Sequence, residues 1–200
     1  MEEETLMEKN ESLKDRTKVK IRELQLDDLD RLMAFYQALP LEDRKYLRVD
    51  VTNRDIISQR IKLVETGNVV RIVALRDNQI IADGALELSG EEWRKHQGEI
   101  RVIVAHPYQH KGLGMIIIRQ LYLIAVEKNV EMIIAKMMRP QVGAQHIFRK
   151  LGFREELLIP DYVRDIGGES QDLIIMACDT KELWKELEHF YSDTDWERSR

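Results

Sequence analysis

The stretch Val104-Ala105-His106-Pro107-Tyr108-Gln109-His110-Lys111-Gly112-Leu113-Gly114 joins two segments of different periodicity. Residues 99–105 form a β-branched, apolar run that predicts a strand. Residues 112–128 predict a helix apolar on most sides, as suits one packed under a sheet. The pattern QxxGxG therefore sits where a strand hands over to a helix N-terminus. The first turn of a helix presents amides with no intrahelical acceptor and about half a positive charge, and glycines let an anion approach the main chain without a Cβ clash. Gly112 and Gly114 supply that clearance and Lys111 adds charge. A solitary GxG often only shapes a turn. Here its place between strand and helix, without the GK[ST] of a P-loop or the third glycine of a dinucleotide fingerprint, predicts a pyrophosphate cradle of another kind.

Working outward, residues 19–24 alternate as a strand. Asp27 or Asp28 caps a helix that Pro40 stops, and a second helix covers residues 53–66. Two strands, 69–75 and 79–88, flank the turn signal Arg76-Asp77-Asn78 and predict a hairpin. After the long helix, residues 131–138 return as a strand and 141–151 form a short helix with Gly152 as its left-handed C-cap. Residues 153–159 and 171–177 are the last strands. The order βααβββαβαββ predicts an α/β fold with a mixed sheet. The expected division is a charged, solvated tail over residues 1–17, a domain over 18–180, and an amphipathic helix and tail over 181–200.

Composition narrows the function. The chain has 200 residues, 44% of them hydrophobic and 34% charged, enough for one packed core. Its net charge of -5 argues against a phosphate-backbone partner, so nucleic acid is not expected. Cys178, the one cysteine, excludes an internal disulfide; in its apolar run it reads as a buried structural thiol, in keeping with a cytoplasmic protein. The acidic N-terminus carries no export signal and no apolar run is long enough to span a bilayer, so no membrane is expected. His106 and His110 have the spacing of a helical metal pair, but Pro107 makes a helix there implausible, and no metal is expected.

The run 104–114 resembles the acetyl-CoA signature of the GNAT superfamily of N-acetyltransferases, [V]xPxx[QR]xxGxG. Residues 144–153, ending Arg149-Lys150-Leu151-Gly152-Phe153, resemble that family's second hallmark, an Ala-containing helix closing on KxGF. With the element order, the resemblance covers residues 19–179. It implies two central parallel strands that splay apart, with Val102, Ile103 and Val104 offering backbone groups to the pantetheine arm of acetyl-CoA. It also implies that the pyrophosphate sits on Gln109, His110, Lys111, Gly112, Leu113, Gly114 and Met115. More weakly, residues 39–48 resemble the substrate-side stretch of Pat-like bacterial protein lysine acetyltransferases. That points to a primary amine acceptor, with a protein lysine as the finer expectation; a homodimer is left open.

Attack on a thioester needs a neutral amine, yet a lysine with pKa about 10.4 is charged at neutral pH, so a base is useful. Glu99 matches the glutamate that many GNAT enzymes use; the competing reading pairs it with Arg101 on the same strand face. Glu87 is the runner-up. The family's usual general acid, a tyrosine four residues before the KxGF glycine, falls on Phe148, which has no proton to give. Either the thiolate leaves unassisted, or a hydroxyl such as Tyr122 or Tyr162 enters the site, or turnover is lost and the chain is an acyl-CoA sensor. Residues 160–169 predict a turn-rich loop that either walls the acceptor site, its acids attracting a cationic amine, or is simply solvated.

Overall fold

The structure, a computed structural model, describes residues 8–198, with side chains through residue 189. In chain order it runs β1 (Lys9–Ser12), β2 (Lys18–Glu23), α1 (Leu29–Ala38), α2 (Leu41–Arg44), α3 (Arg54–Lys62), β3 (Val69–Arg76), β4 (Gln79–Leu88), β5 (Gln97–Val104), α4 (Leu113–Glu127), β6 (Met132–Met138), α5 (Val142–Lys150), β7 (Arg154–Arg164), β8 (Ser170–Asp179) and α6 (Thr180–Arg198). The strands form one eight-stranded mixed sheet in the order β1-β2-β3-β4-β5-β6-β8-β7. Its one parallel pairing among the described residues, β5 with β6, follows from the crossover through α4, and every other neighbour is antiparallel. The β3–β4 turn is tight because Asp77 and Asn78 both adopt positive φ, 50° and 63°, the conformation of a type I′ turn. Gly152 ends α5 at φ 80°.

Two cores flank the sheet, as its alternating side chains require. On one face α4 buries Leu113, Ile117 and Leu121 with Ile100 and Leu86, joined by α6 through Leu183 and Leu187. On the other, α1 and α3 bury Leu32, Tyr36 and Ile57 against Val73 and Leu75. Because β5 alternates, Ile100, Val102 and Val104 belong to the first core and Ile103 to the second. Cys178 is buried beside the Leu151 carbonyl. Burial, with Glu182 and Asp179 nearby, pushes its thiol up to about 12, as a structural thiol requires.

Three expectations are corrected. Residues 9–12 are not a solvated tail: they pair with β2, and Leu13 is 3% exposed in the core. One anchor among charged residues is too little to show as an apolar period; residues 1–7 lie outside the described part. Past Pro40 the chain makes the short α2 before α3. Residues 160–164 belong to β7, where Pro160 is tolerated because an edge strand does not need its amide.

The turn into α1 is held by Asp28, fully buried and bonded to the Arg22 guanidinium, the Gln25 amide and Arg31. Burial pushes its carboxyl up, but Arg22, Gln25 and Arg31 outweigh it and hold the group down at about 2. A folded pKa below the unfolded value of about 3.9 means this stabilisation is present above about pH 4 and fades as pH falls toward 2. Asp28→Asn is expected to lose about 2–4 kcal/mol at neutral pH by leaving the arginines unpaired, and less as pH drops. Urea denaturation at pH 7, 4 and 3 measures both effects.

Candidate active site

α4 starts from Gly112, whose φ of 88° is the left-handed region that a Cβ disfavours. His110, in the same loop, sits at φ 60°. The Gln109 side-chain amide donates to the Val104 carbonyl at 3.1 Å, bracing the loop against the end of β5. The first turn bonds Ile116 N–H to the Gly112 carbonyl at 3.1 Å, so the amides of Leu113, Gly114 and Met115 precede any intrahelical donor. A Cβ added at Gly114 would meet only Val104 Cγ2, at 3.8 Å. The packing of the chain itself thus does not demand glycine there, whereas an anion seated on the helix start would. These residues fit a pyrophosphate.

The first strands add something the sequence did not reveal. The Lys14 amide donates to the Lys111 carbonyl at 3.1 Å, and Lys14 Cγ lies 3.6 Å from where a Gly112 Cβ would stand. Asp15 pairs with Lys111 at 2.9 Å, and Lys111 with the Thr17 bonds holds its carboxyl well below the usual range. Lys111 is therefore already engaged, and the Lys14 side chain passes beside Gly112 at the rim of the loop. Only the turn-forming Asp15 and Thr17, bonded through the Thr17 amide at 3.0 Å, could have hinted that this segment is ordered.

Beyond the cradle, β5 and β6 part. Their pairing has three rungs, Gln97 with Met132, Gly98 with Ile133 and Glu99 with Ile134, so from residue 100 onward the backbone of β5 facing β6 is left for another partner. A cleft runs through the gap. Its walls come from both faces of the sheet: Tyr36 of α1 and Arg60 of α3 on one side, Phe148 of α5 on the other, with Val102, Ile103 and Met137 between. Val104 stands just outside, packed on the core beside the cradle.

The wall is rich in arginine. Arg71 donates to both oxygens of Asp83 and to the Tyr36 hydroxyl at 2.8 Å, and Tyr36 donates to Asp83 at 2.7 Å, all buried. Burial, then the Asp83 charge, raises the Tyr36 hydroxyl far above its usual range, so it is a poor acid. Arg101 and Arg60 share Glu87. Arg48 and Lys136, which line the cleft, each pair with one oxygen of Glu99, the lysine at 2.8 Å.

Glu99, its side chain 14% exposed, thus stands behind the wall and meets the cleft through Arg48 and Lys136. It does not pair with Arg101, which reaches across to Glu87. Glu87 and Glu99 face each other across β4 and β5, and like charges in that position hold only because each carries two cations. Phe148 lines the cleft, edge-on to Phe153 at 4.9 Å. Neither suggested replacement hydroxyl is there. Tyr122 stacks on Trp184 at 5.5 Å, and Tyr162 is exposed on β7; Tyr36 and Tyr46 are the tyrosines of the wall.

The acids after β7 do not face the cleft. Asp165 is buried under the Gly167 and Glu169 amides and pairs with Lys45 at 3.2 Å, while Glu169 pairs with Lys45 at 2.9 Å. Glu169 and Asp165 raise the Lys45 ammonium to about 12. The loop clamps the end of α2 and so holds Tyr46 and Arg48 in the wall.

Residues 68–155 match the family profile described as acetyltransferase (GNAT) domain. No curated protein matches the chain by sequence. Solved structures with the same fold include RimJ of Mycobacterium smegmatis in complex with CoA-disulfide, 16% identical, covering 94% of this chain and 94% of its own, TM-score 0.74. The GNAT domain of PAT from S. lividans is 16% identical over 86% of this chain and 96% of its own, TM-score 0.70. The yncA protein of Salmonella typhimurium, solved with acetyl-CoA, is 15% identical over 81% and 94%, TM-score 0.68. Residues 68–155 thus match a GNAT acetyltransferase domain, within a chain that shares the fold of these structures.

Gly114→Ala is the clean probe of the cradle, because the chain has room for the methyl and alanine favours a helix by about 1 kcal/mol. It is expected to fold as stably as the parent and to bind acetyl-CoA at least tenfold more weakly, read by calorimetry. Unchanged affinity would remove the pyrophosphate from this loop.

Proposed function

We propose that this chain transfers the acetyl group of acetyl-CoA to a primary amine, holding the cosubstrate on Gln109, His110, Lys111, Gly112, Leu113, Gly114 and Met115 and along Val102, Ile103 and Val104. The observation that carries this reading is the continuous cleft through the β5–β6 gap, which lets a thioester laid from the α4 side meet an amine arriving from the α1–α3 side. Bound acetyl-CoA supplies the activated acyl carbon. The new amide bond replaces the thioester C–S bond, and the nitrogen sheds one proton. The finer reading of the acceptor is a protein lysine, supported by residues 39–48 supplying Tyr46, Leu47 and Arg48 to the wall. The site of action proposed is the cytoplasm; no described helix is long and apolar enough to cross a membrane.

Glu99 is the proposed acceptor of that proton. Its two cations favour a second role, in which Glu99 positions Arg48 and Lys136. One variant separates the two. As the base, Glu99→Gln is expected to cut the rate at pH 7 by about 10² to 10⁴, with the deficit shrinking as pH nears the amine's pKa of about 10.4. As a positioning residue it would show a deficit that does not change with pH. Acetyl-CoA affinity should be unaffected either way.

With Phe148 at the cleft, the thiolate leaves on its own low basicity. Phe148→Tyr is therefore expected to change the rate less than about tenfold, measured where chemistry limits turnover. Acetyl-CoA binding without transfer to any amine would instead mark an acyl-CoA sensor.

A further inference from the structure

We propose that the acceptor carries a carboxylate beside its amine, seated against Arg101 and Arg60 on the cleft wall. This rests on the acetyl-transfer reading above. Six charged side chains line the cleft, and Asp83 is the one anion among them, facing Arg48, Arg60, Arg71, Arg101 and Lys136. Arg71 is matched by Asp83. Behind the wall, Glu87 serves both Arg60 and Arg101, and Glu99 serves both Arg48 and Lys136. The Glu87 and Glu99 groups each keep one cation more than they have carboxylates.

The surplus is sharpest at Arg101. Its Nε is buried and has no hydrogen-bond partner, although a guanidinium offers five donors and seldom leaves one unused inside a protein. Burial and the nearby Arg60, Arg48 and Arg71 push Arg101 well below the usual arginine range. A guanidinium nevertheless stays charged at neutral pH, so Arg101 is a desolvated cation crowded by three other arginines, with Glu87 shared between it and Arg60. One planar oxyanion of single charge balances the Glu87 group, accepting from the donors of Arg101 and Arg60 that Glu87 leaves.

A bare ammonium, by contrast, meets repulsion from the same residues. The lysine-only, polyamine or aminoglycoside acceptor is thus disfavoured. A free amino acid, or a lysine flanked by acidic residues in a peptide, provides the required pair of groups.

The test uses the full chain and two arms. The first compares kcat/KM for amino acids with that for their carboxamides. The second compares lysine peptides flanked by Glu with the same peptides flanked by Gln. A preference of at least tenfold for the carboxylate is expected in one arm, and that arm identifies the source. Arg101→Gln is expected to reduce the ratio to within threefold without altering KM for acetyl-CoA; Arg60→Gln serves if that variant does not fold. Ratios within threefold in both arms, or a tenfold ratio surviving in the folded variants, would overturn the proposal while leaving acetyl transfer intact. If no acceptor turns over, calorimetry of the same pairs on the CoA-saturated protein decides. Tighter binding of the carboxylate upholds the inference against the transfer reading, and equal binding overturns it.

Discussion

Strands β5 and β6 share three parallel rungs and then diverge, and the rest of the site depends on that divergence. β5 is fully paired with β4 on its other edge, and β6 with β8, so each strand is held by its own half of the sheet while the gap between them opens. Gly98 sits at the central rung, where a Cβ would come within 2.8 Å of Leu86 Cδ1. The glycine therefore makes room for Leu86 of β4 and for Val130 beside the paired end of the two strands. The helix that crosses between them begins beyond the open end, which places its unpaired amides and the gap along one path.

A gap through a sheet exposes backbone and polar side chains to a half-buried space, and this chain fills the rim with arginine. The guanidinium suits that place because it keeps its charge, binds carboxylates with two donors at once and tolerates partial burial better than an ammonium. The arrangement also joins distant parts of the chain. Arg48 follows α2, Arg60 lies in α3, and Arg101 and Glu99 lie on β5; ion pairs bring all three segments onto the β4–β6 strip. The Lys45 clamp to Asp165 and Glu169 then ties the same α2 segment to the β7–β8 loop. The α1–α3 side of the cleft is consequently set by contacts across most of the chain, whereas the loop before α4 and the start of that helix are one continuous stretch of sequence.

The loop proposed as the cradle was legible as a strand-to-helix junction because it is local. Gln109, Gly112 and Gly114 are neighbours in the chain, and the change from strand to helix periodicity around them locates a helix N-terminus without tertiary information. The hairpin at Asp77-Asn78, the αL cap at Gly152 and the buried thiol of Cys178 follow from short-range rules too. Phe148 was placed by its spacing from Gly152, and it does line the cleft.

Long-range partners were not readable, because a charged residue carries no mark of which opposite charge it will meet. Glu99 and Arg101 share a strand face and could have paired, but Glu87 lies opposite on β4 and draws Arg101, while Arg48 and Lys136 arrive from elsewhere to take Glu99. Lys14 looked solvated for a similar reason, since β1 and β2 hold it at the cradle by backbone pairing and one buried leucine. The sequence alone determined the α/β order and the glycine-containing loop that opens α4, through hydrophobic period and glycine position. Only the tertiary structure decided which charges face the cleft, because that depends on the register of β4 against β5 and on where the α2–α3 segment docks.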